Sequence, residues 1–215
     1  MNILSINTAF SESYVSVTTS THGFVYKHMD SSLKQSENIL GLIDICLEKL
    51  KISLKNIDAI ACVIGPGSFT GIRIGASIAK GFCTALPKIK RIAINSLDLL
   101  AFQKSKKGLT SDFWVVLNAL SGNLFACKYN KNGVRICEPM LVYGEELKNI
   151  TGIVVGLQEE SLEIATEYLS FSSEALAEFA IMLNSFEQDC QDFEPVYLRK
   201  SQAEAELDKK EKNNK

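Results

Sequence analysis

The residues best placed to do chemistry in this 215-residue chain stand in one glycine-rich segment: Gly65, Pro66, Gly67, Ser68, Phe69, Thr70, Gly71, Ile72, Arg73, Ile74 and Gly75. Glycine reaches positive φ and lets other backbone approach closely, so this density of Gly and Pro fixes a tight turn. The segment follows an apolar run at 57–64 and leads into a helical pattern, so its amides would face whatever lies above the helix start. A phosphate loop ends in Gly-Lys-Ser/Thr, whereas here Gly71 is followed by Ile72 and Arg73, and a dinucleotide fingerprint needs glycine where Thr70 stands. Gly65, Pro66, Gly67, Ser68, Thr70 and Gly71 therefore read as a structural glycine loop with partner contact rather than as an independent nucleotide site. Ser68 and Thr70 have no base close by in sequence to activate them. His22 and His28 are the only histidines and are not at metal-ligand spacing. The pairs Glu145-Glu146 and Glu159-Glu160 are expected to begin helices, where carboxylates suit the positive end of the dipole. No catalytic residue and no metal ligand is assigned.

The helix after the loop carries small residues at every fourth position, Gly71, Gly75, Ala79 and Cys83, which fall on one face. Glycine near a helix start costs about 1 kcal/mol against alanine, so another backbone must pack closely there. Two readings stay open. The stripe packs on the chain's own sheet, or it docks a partner's helix. On the second reading Ile72, Arg73, Gly75, Ala76, Ala79 and Cys83, extended by Ile39, Ile43 and Cys46 of the preceding helix, form the partner interface. Gly75→Leu or Ala79→Glu is then expected to leave the chain folded while abolishing association. Arg73 is the polar residue of that face, or it pairs internally with an acid.

Composition narrows the field. An apolar fraction of 46% supports a buried core. The apolar runs are too short to span a bilayer, and the first residues read as a strand rather than a signal segment. Six cysteines without a Cys-x-x-Cys pair point to reduced thiols in a cytoplasmic protein. With 23 Lys and Arg against 25 Asp and Glu, the net charge of -2 does not suit direct nucleic-acid binding.

The elements that position the loop can be read from periodicity. Alternating runs at 2–8, 14–19 and 23–29 predict a three-stranded meander, followed by a helix capped by Ser36 and running to residue 50. A strand at 57–64, a helix at 72–86, a strand at 91–94 and a helix capped by Ser96 complete the first unit. A second unit opens with strands at 112–118, 124–129 and 134–142, joined by turns at Ser121-Gly122-Asn123 and Asn132-Gly133. A short helix near Glu145, a strand at 152–155 and helices at 162–168 and 173–186 follow. The repeated order predicts two related lobes facing a cleft, 1–103 and 112–200, with a charged extension at 201–215.

Three strings name a family: Gly65 to Gly75, the opening Ile3-Leu4-Ser5-Ile6-Asn7-Thr8-Ala9, and Glu194-Pro195-Val196-Tyr197-Leu198-Arg199. Together they resemble the TsaB family, also called YeaZ, across nearly the whole chain. The resemblance implies an α/β fold of the actin-like, ribonuclease H-like type, with duplicated mixed sheets and flanking helices. It also implies a noncatalytic scaffold or activator subunit in tRNA threonylcarbamoyladenosine formation. The implied partners are the catalytic subunit TsaD, the ATPase TsaE and a second copy of the chain, with tRNA met only through the complex. No intrinsic cofactor is expected, and ATP or ADP has a place only at the joint interface. The metal-binding histidine pair of TsaD has no counterpart in Lys34, Gln35, Ser36, Glu37, Asn38 and Ile39. Asn7 and Asn118 stand where the family has acidic residues, which removes two negative charges from the expected cleft. The alternative is an autonomous peptidase-like hydrolase or a small-molecule kinase using that cleft.

Overall fold

Alternation of apolar and small residues folds the start of the chain into an antiparallel meander: β1 (Ile3–Asn7), β2 (Ser13–Thr18) and β3 (Gly23–His28). The computed structural model describes residues 1–19, 23–28, 35–185 and 192–199, with the backbone alone at 23–28 and 35–37. Helix α1 (Gln35–Leu50) leads to β4 (Ala59–Gly65), which lies parallel to β1 with Ile3 opposite Ala59. Helix α2 (Phe69–Ala85), β5 (Lys90–Asn95) and α3 (Ser96–Ser105) follow. The strand order is β3-β2-β1-β4-β5. The expected cap Ser36 already lies inside α1, which begins at Gln35, while His22, the side chain of His28 and the extension 201–215 lie outside the described residues.

The second sheet repeats the first. Strands β6 (Phe113–Asn118), β7 (Leu124–Tyr129) and β8 (Met140–Val142) form the meander, and β9 (Ile153–Leu157) and β10 (Glu167–Leu169) add in parallel. The order β8-β7-β6-β9-β10 matches that of the first sheet strand for strand. Where the first unit has α1 and α2, the second has single 3-10 turns, Gly144–Asn149 and Gln158–Glu160. Helix α4 (Ser173–Ser185) occupies the place of α3 in the order.

Several expectations are corrected. The helix at 162–168 does not form. Leu162 and Ile164 pack on the outer face of the second sheet, and Glu167–Leu169 becomes its fifth strand. The strand at 134–142 is broken: Arg135 bridges Tyr129, and pairing resumes only at Met140. Helix α3 is capped by Asn95, whose side chain accepts from the amides of Leu97 and Asp98, so Ser96 is already inside it. Helix α4, in the second unit by sequence, crosses to the first sheet. It packs on β1, β2, β3 and β5 and on α3.

The strands divide their side chains by face. In β4, Ile60 and Cys62 point under α1 and α2, whereas Ala59, Ala61 and Val63 join a core shared with α3, α4 and the second sheet. In β6, Phe113, Val115 and Leu117 enter that shared core. Among the described residues no helix is long and apolar enough to cross a membrane.

Candidate functional site

The glycine loop, the end of β1 and the terminal segment, far apart in sequence, meet at one place. The Ser68 amide donates to the Ala9 carbonyl (2.8 Å), the Thr8 hydroxyl donates to the Gly71 carbonyl (2.6 Å), and the Val196 amide donates to the Ile64 carbonyl (2.8 Å). Gly65 has φ +108°, and a Cβ there would lie 2.8 Å from Ile72 Cδ1 and 3.0 Å from the Val196 carbonyl oxygen. Glycine is required at this position on both counts. Ser68 caps α2 by accepting from the Gly71 amide (3.2 Å).

Above this junction lies a cleft of about 800 Å³ between the two sheets, lined by Ser68, Thr70, Arg73 and Tyr197 together with Asn118, Glu160 and Arg199. The Arg73 guanidinium lies 3.9 Å from the centre of the Phe69 ring, and its Nε donates to the Tyr197 hydroxyl (2.9 Å). Of the two roles foreseen for Arg73, the internal pairing with an acid does not form: its partners here are aromatic, and it stays exposed on the helix. Arg199 donates from Nη1 to the Ala119 carbonyl. Among the described residues no group of three or more His, Cys, Asp and Glu side chains is gathered as a metal site requires.

Asn7 and Asn118 close equivalent turns at the ends of equivalent strands. Asn7 Oδ1 accepts from the Ala9 amide (2.9 Å) and Asn118 Oδ1 from the Leu120 amide (2.7 Å). Each side chain folds back on its own backbone two residues ahead. The cleft nevertheless holds a carboxylate that the sequence reading assigned to a helix start. Glu160 closes a single 3-10 turn, and its Oε2 accepts from the Asn118 amide (2.7 Å). Burial pushes its carboxyl up to about 7, the Asn118 bond works against that rise, and neighbouring Glu159 adds to it.

The expected partner interface is largely core. Ile39, Ile43, Cys46, Ile72, Ala76, Ala79 and Cys83 are all buried inside the chain, most of them between the first sheet and helices α1 and α2. The small-residue stripe faces inward. A Cβ on Gly75 would stand 2.5 Å from Thr8 Oγ1 and 3.4 Å from Cys62 Sγ, so the close approach is with the chain's own β1 and β4. Gly75→Leu and Ala79→Glu would therefore disrupt the fold, and neither can test docking. Of the nine assigned residues only Arg73 is exposed. The outer side of the same two helices carries different residues: Leu40, 48% exposed, and the half-buried Ile45, Ile74, Ile78 and Phe82. Gly41 and Gly81 lie there too, and a Cβ on either would meet nothing within 4 Å among the described residues. The signal for these positions was in the sequence, as glycines in mid-helix off the buried stripe.

Two sheets of the same 3-2-1-4-5 order, joined around a cleft whose floor is a glycine turn and two asparagine turns, define a two-lobed α/β protein of the actin-like class. The family model described as "TsaD: tRNA N6-adenosine threonylcarbamoyltransferase" matches residues 10–189, and the chain belongs to the TsaB (YeaZ) branch of that family. It is 32% identical over 153 residues to the tRNA threonylcarbamoyladenosine biosynthesis protein TsaB of Buchnera aphidicola subsp. Acyrthosiphon pisum, covering 70% of this chain and 66% of that one. The chain thus spans just under two thirds of that relative. To the TsaB of Escherichia coli it is 27% identical, with 98% of this chain and 100% of the relative covered. The solved structure of YeaZ from Pseudomonas aeruginosa superposes with a TM-score of 0.76 at 17% identity, over 92% of this chain and 99% of that one. At that identity the superposition speaks for the fold.

Proposed function

We propose that the chain acts in tRNA threonylcarbamoyladenosine biosynthesis as a noncatalytic scaffold that pairs with a TsaD-like catalytic subunit, TsaE-like ATPase joining the pair. The observation that carries this reading is the outer side of α1 and α2, where Gly41 and Gly81 have open space above them amid exposed and half-buried apolar side chains. Each mid-helix glycine weakens its helix by about 1 kcal/mol relative to alanine, with no compensating contact among the described residues. A second helix brought close to the backbone supplies the gain. A partner built on the same family fold presents the same two helices, so the pair meets in a pseudo-twofold four-helix contact. A second copy of this chain presents them as well, which makes the homodimer the competing occupant.

The cleft supports the same reading. Asn118 at its wall turns its Oδ1 to the backbone amide two residues on, and Arg73 and Arg199 are engaged with groups of this chain. Threonylcarbamoyl transfer, and any ATP or ADP, belong to the partner side, and tRNA is met through the complex in the cytoplasm. The test is purification with the TsaD-like subunit and an adenosine-modification assay with each subunit left out in turn. Loss of modification on omitting this chain, and loss of co-elution for Gly81→Leu and Leu40→Glu, are expected. Turnover of a peptide or a phosphoryl acceptor by the chain alone would replace the scaffold with the hydrolase or kinase reading.

A further inference from the structure

Beyond β7 the edge of the second sheet continues as an irregular strand that brings two cysteines together. Tyr129 bridges Arg135, the Asn130 amide donates to the Val134 carbonyl (2.9 Å), and the Ile136 amide donates to the Lys128 carbonyl (2.7 Å). Past Ile136 the chain bends and the register slips before Met140 pairs with Ala126, which leaves Cys137 in the slipped stretch beside Cys127. Neighbouring antiparallel strands hold facing Cα atoms about 4.5–5.5 Å apart. A disulfide spans Cα separations of about 4.4–6.8 Å. The side chains already interlock. Cys127 Sγ donates to the Cys137 carbonyl (3.1 Å), and the Lys128 amide donates to Cys137 Sγ (3.2 Å) in place of a carbonyl. Both sulfurs lie on the shared-core face, Cys127 fully buried and Cys137 half-buried at its margin.

We infer that Cys127 and Cys137 form a redox pair that closes into a cross-strand disulfide on exchange with a low-molecular-weight disulfide. The half-buried Cys137 gives up its proton to solvent and attacks one sulfur of the incoming disulfide, forming a mixed disulfide and releasing one thiol. Cys127 then loses its proton and displaces the second thiol from Cys137, so two protein thiols are oxidised and one small disulfide is reduced to two thiols. Burial pushes the Cys127 thiol up to about 12, which makes it the resolving rather than the attacking group. Closure replaces two sulfur hydrogen bonds by a covalent tie, fixing residues 134–142 on β7. Arg135 lies inside that segment and holds Asp98 of α3, so the tie also steadies the link from the second sheet to α3.

The experiment is equilibration of the full chain in glutathione buffers from reducing to oxidising, followed by thiol alkylation, intact mass and peptide mapping. Two fewer alkylatable thiols and a Cys127–Cys137 linked peptide are expected, with slower hydrogen exchange across 134–142 in the oxidised form. Cys127→Ala should arrest at a mixed disulfide on Cys137, and Cys137→Ser should keep all its remaining thiols countable. The inference is overturned if the unaltered chain stops at the mixed disulfide, if the linked peptide maps to another pair, or if Cys137→Ser loses two thiols as the parent does.

Discussion

At the scale of single residues, the cleft is governed by one carboxyl group. Glu160 titrates at about 7 in the fold against an ordinary value of 4.5, because burial disfavours its charged form. Between those values the native chain holds a proton that the unfolded chain has released. Its contribution is therefore full below about 4.5 and is lost as pH rises through about 7. Glu160→Gln keeps an acceptor for the Asn118 amide and removes the titration. Thermal melts should show the variant more stable than the parent above pH 7, by at most about 3 kcal/mol, with the two converging in acid. Parallel pH profiles for parent and variant would mean that the carboxylate is solvated. A second residue sets the packing of α2 on the sheet. Gly75→Ala places a methyl group 2.5 Å from the Thr8 hydroxyl, which is fully buried and already donates to the Gly71 carbonyl. Overpacking of this kind costs about 1–3 kcal/mol, and the melting temperature should fall by several degrees. An unchanged melt would show that β1 yields without cost.

At the scale of elements, α1 and α2 present two faces with opposite glycine logic. Inside, Gly75 is enforced by contact; outside, Gly41 and Gly81 are enforced by nothing among the described residues. Gly81→Ala should therefore raise the melting temperature, by about 2–4 °C for the 1 kcal/mol that alanine adds to a helix. Gly81→Leu should keep most of that gain yet fail to co-elute with the TsaD-like subunit. A leucine variant that still co-elutes moves the interface off this face. Sequence periodicity made these helices legible as helices, and the four-residue spacing made close packing legible, but not its object. A stripe of Gly71, Gly75, Ala79 and Cys83 reads alike whether β1 or a partner lies against it. The first sheet was legible because its strands are short runs of apolar and small residues bounded by turns, buried along nearly their whole length in β1, β2 and β4. Strand β10 was not: three residues, Glu167, Tyr168 and Leu169, carry no period, and only their parallel pairing with β9 defines them. Glu160 was invisible as a cleft residue because the amide that fixes it, that of Asn118, is 42 positions away.

At the scale of the whole molecule, α3 holds the two sheets as one body. It sits in the shared core, and its polar side chains reach the second unit: Gln103 Nε2 donates to the Ser170 carbonyl (2.8 Å), Lys104 pairs with Glu167 of β10, and Lys106 pairs with Glu178 of α4. The strongest tie is Asp98. Its Oδ1 accepts from the Tyr129 hydroxyl (2.8 Å) and from Arg135 Nε (2.6 Å), and its Oδ2 accepts from Arg135 Nη2 (2.6 Å). The paired guanidinium contact fixes geometry as well as energy. Removing the carboxylate strands a fully buried tyrosine hydroxyl and leaves Arg135 without its chelate partner. Asp98→Ala should cost about 2–3 kcal/mol, read by denaturant melts. Arg135→Met should cost less, because Tyr129 keeps its acceptor. The double variant should lose clearly less than the sum of the two, since each single change already breaks the same contact. Strict additivity would mean that the two side chains act independently.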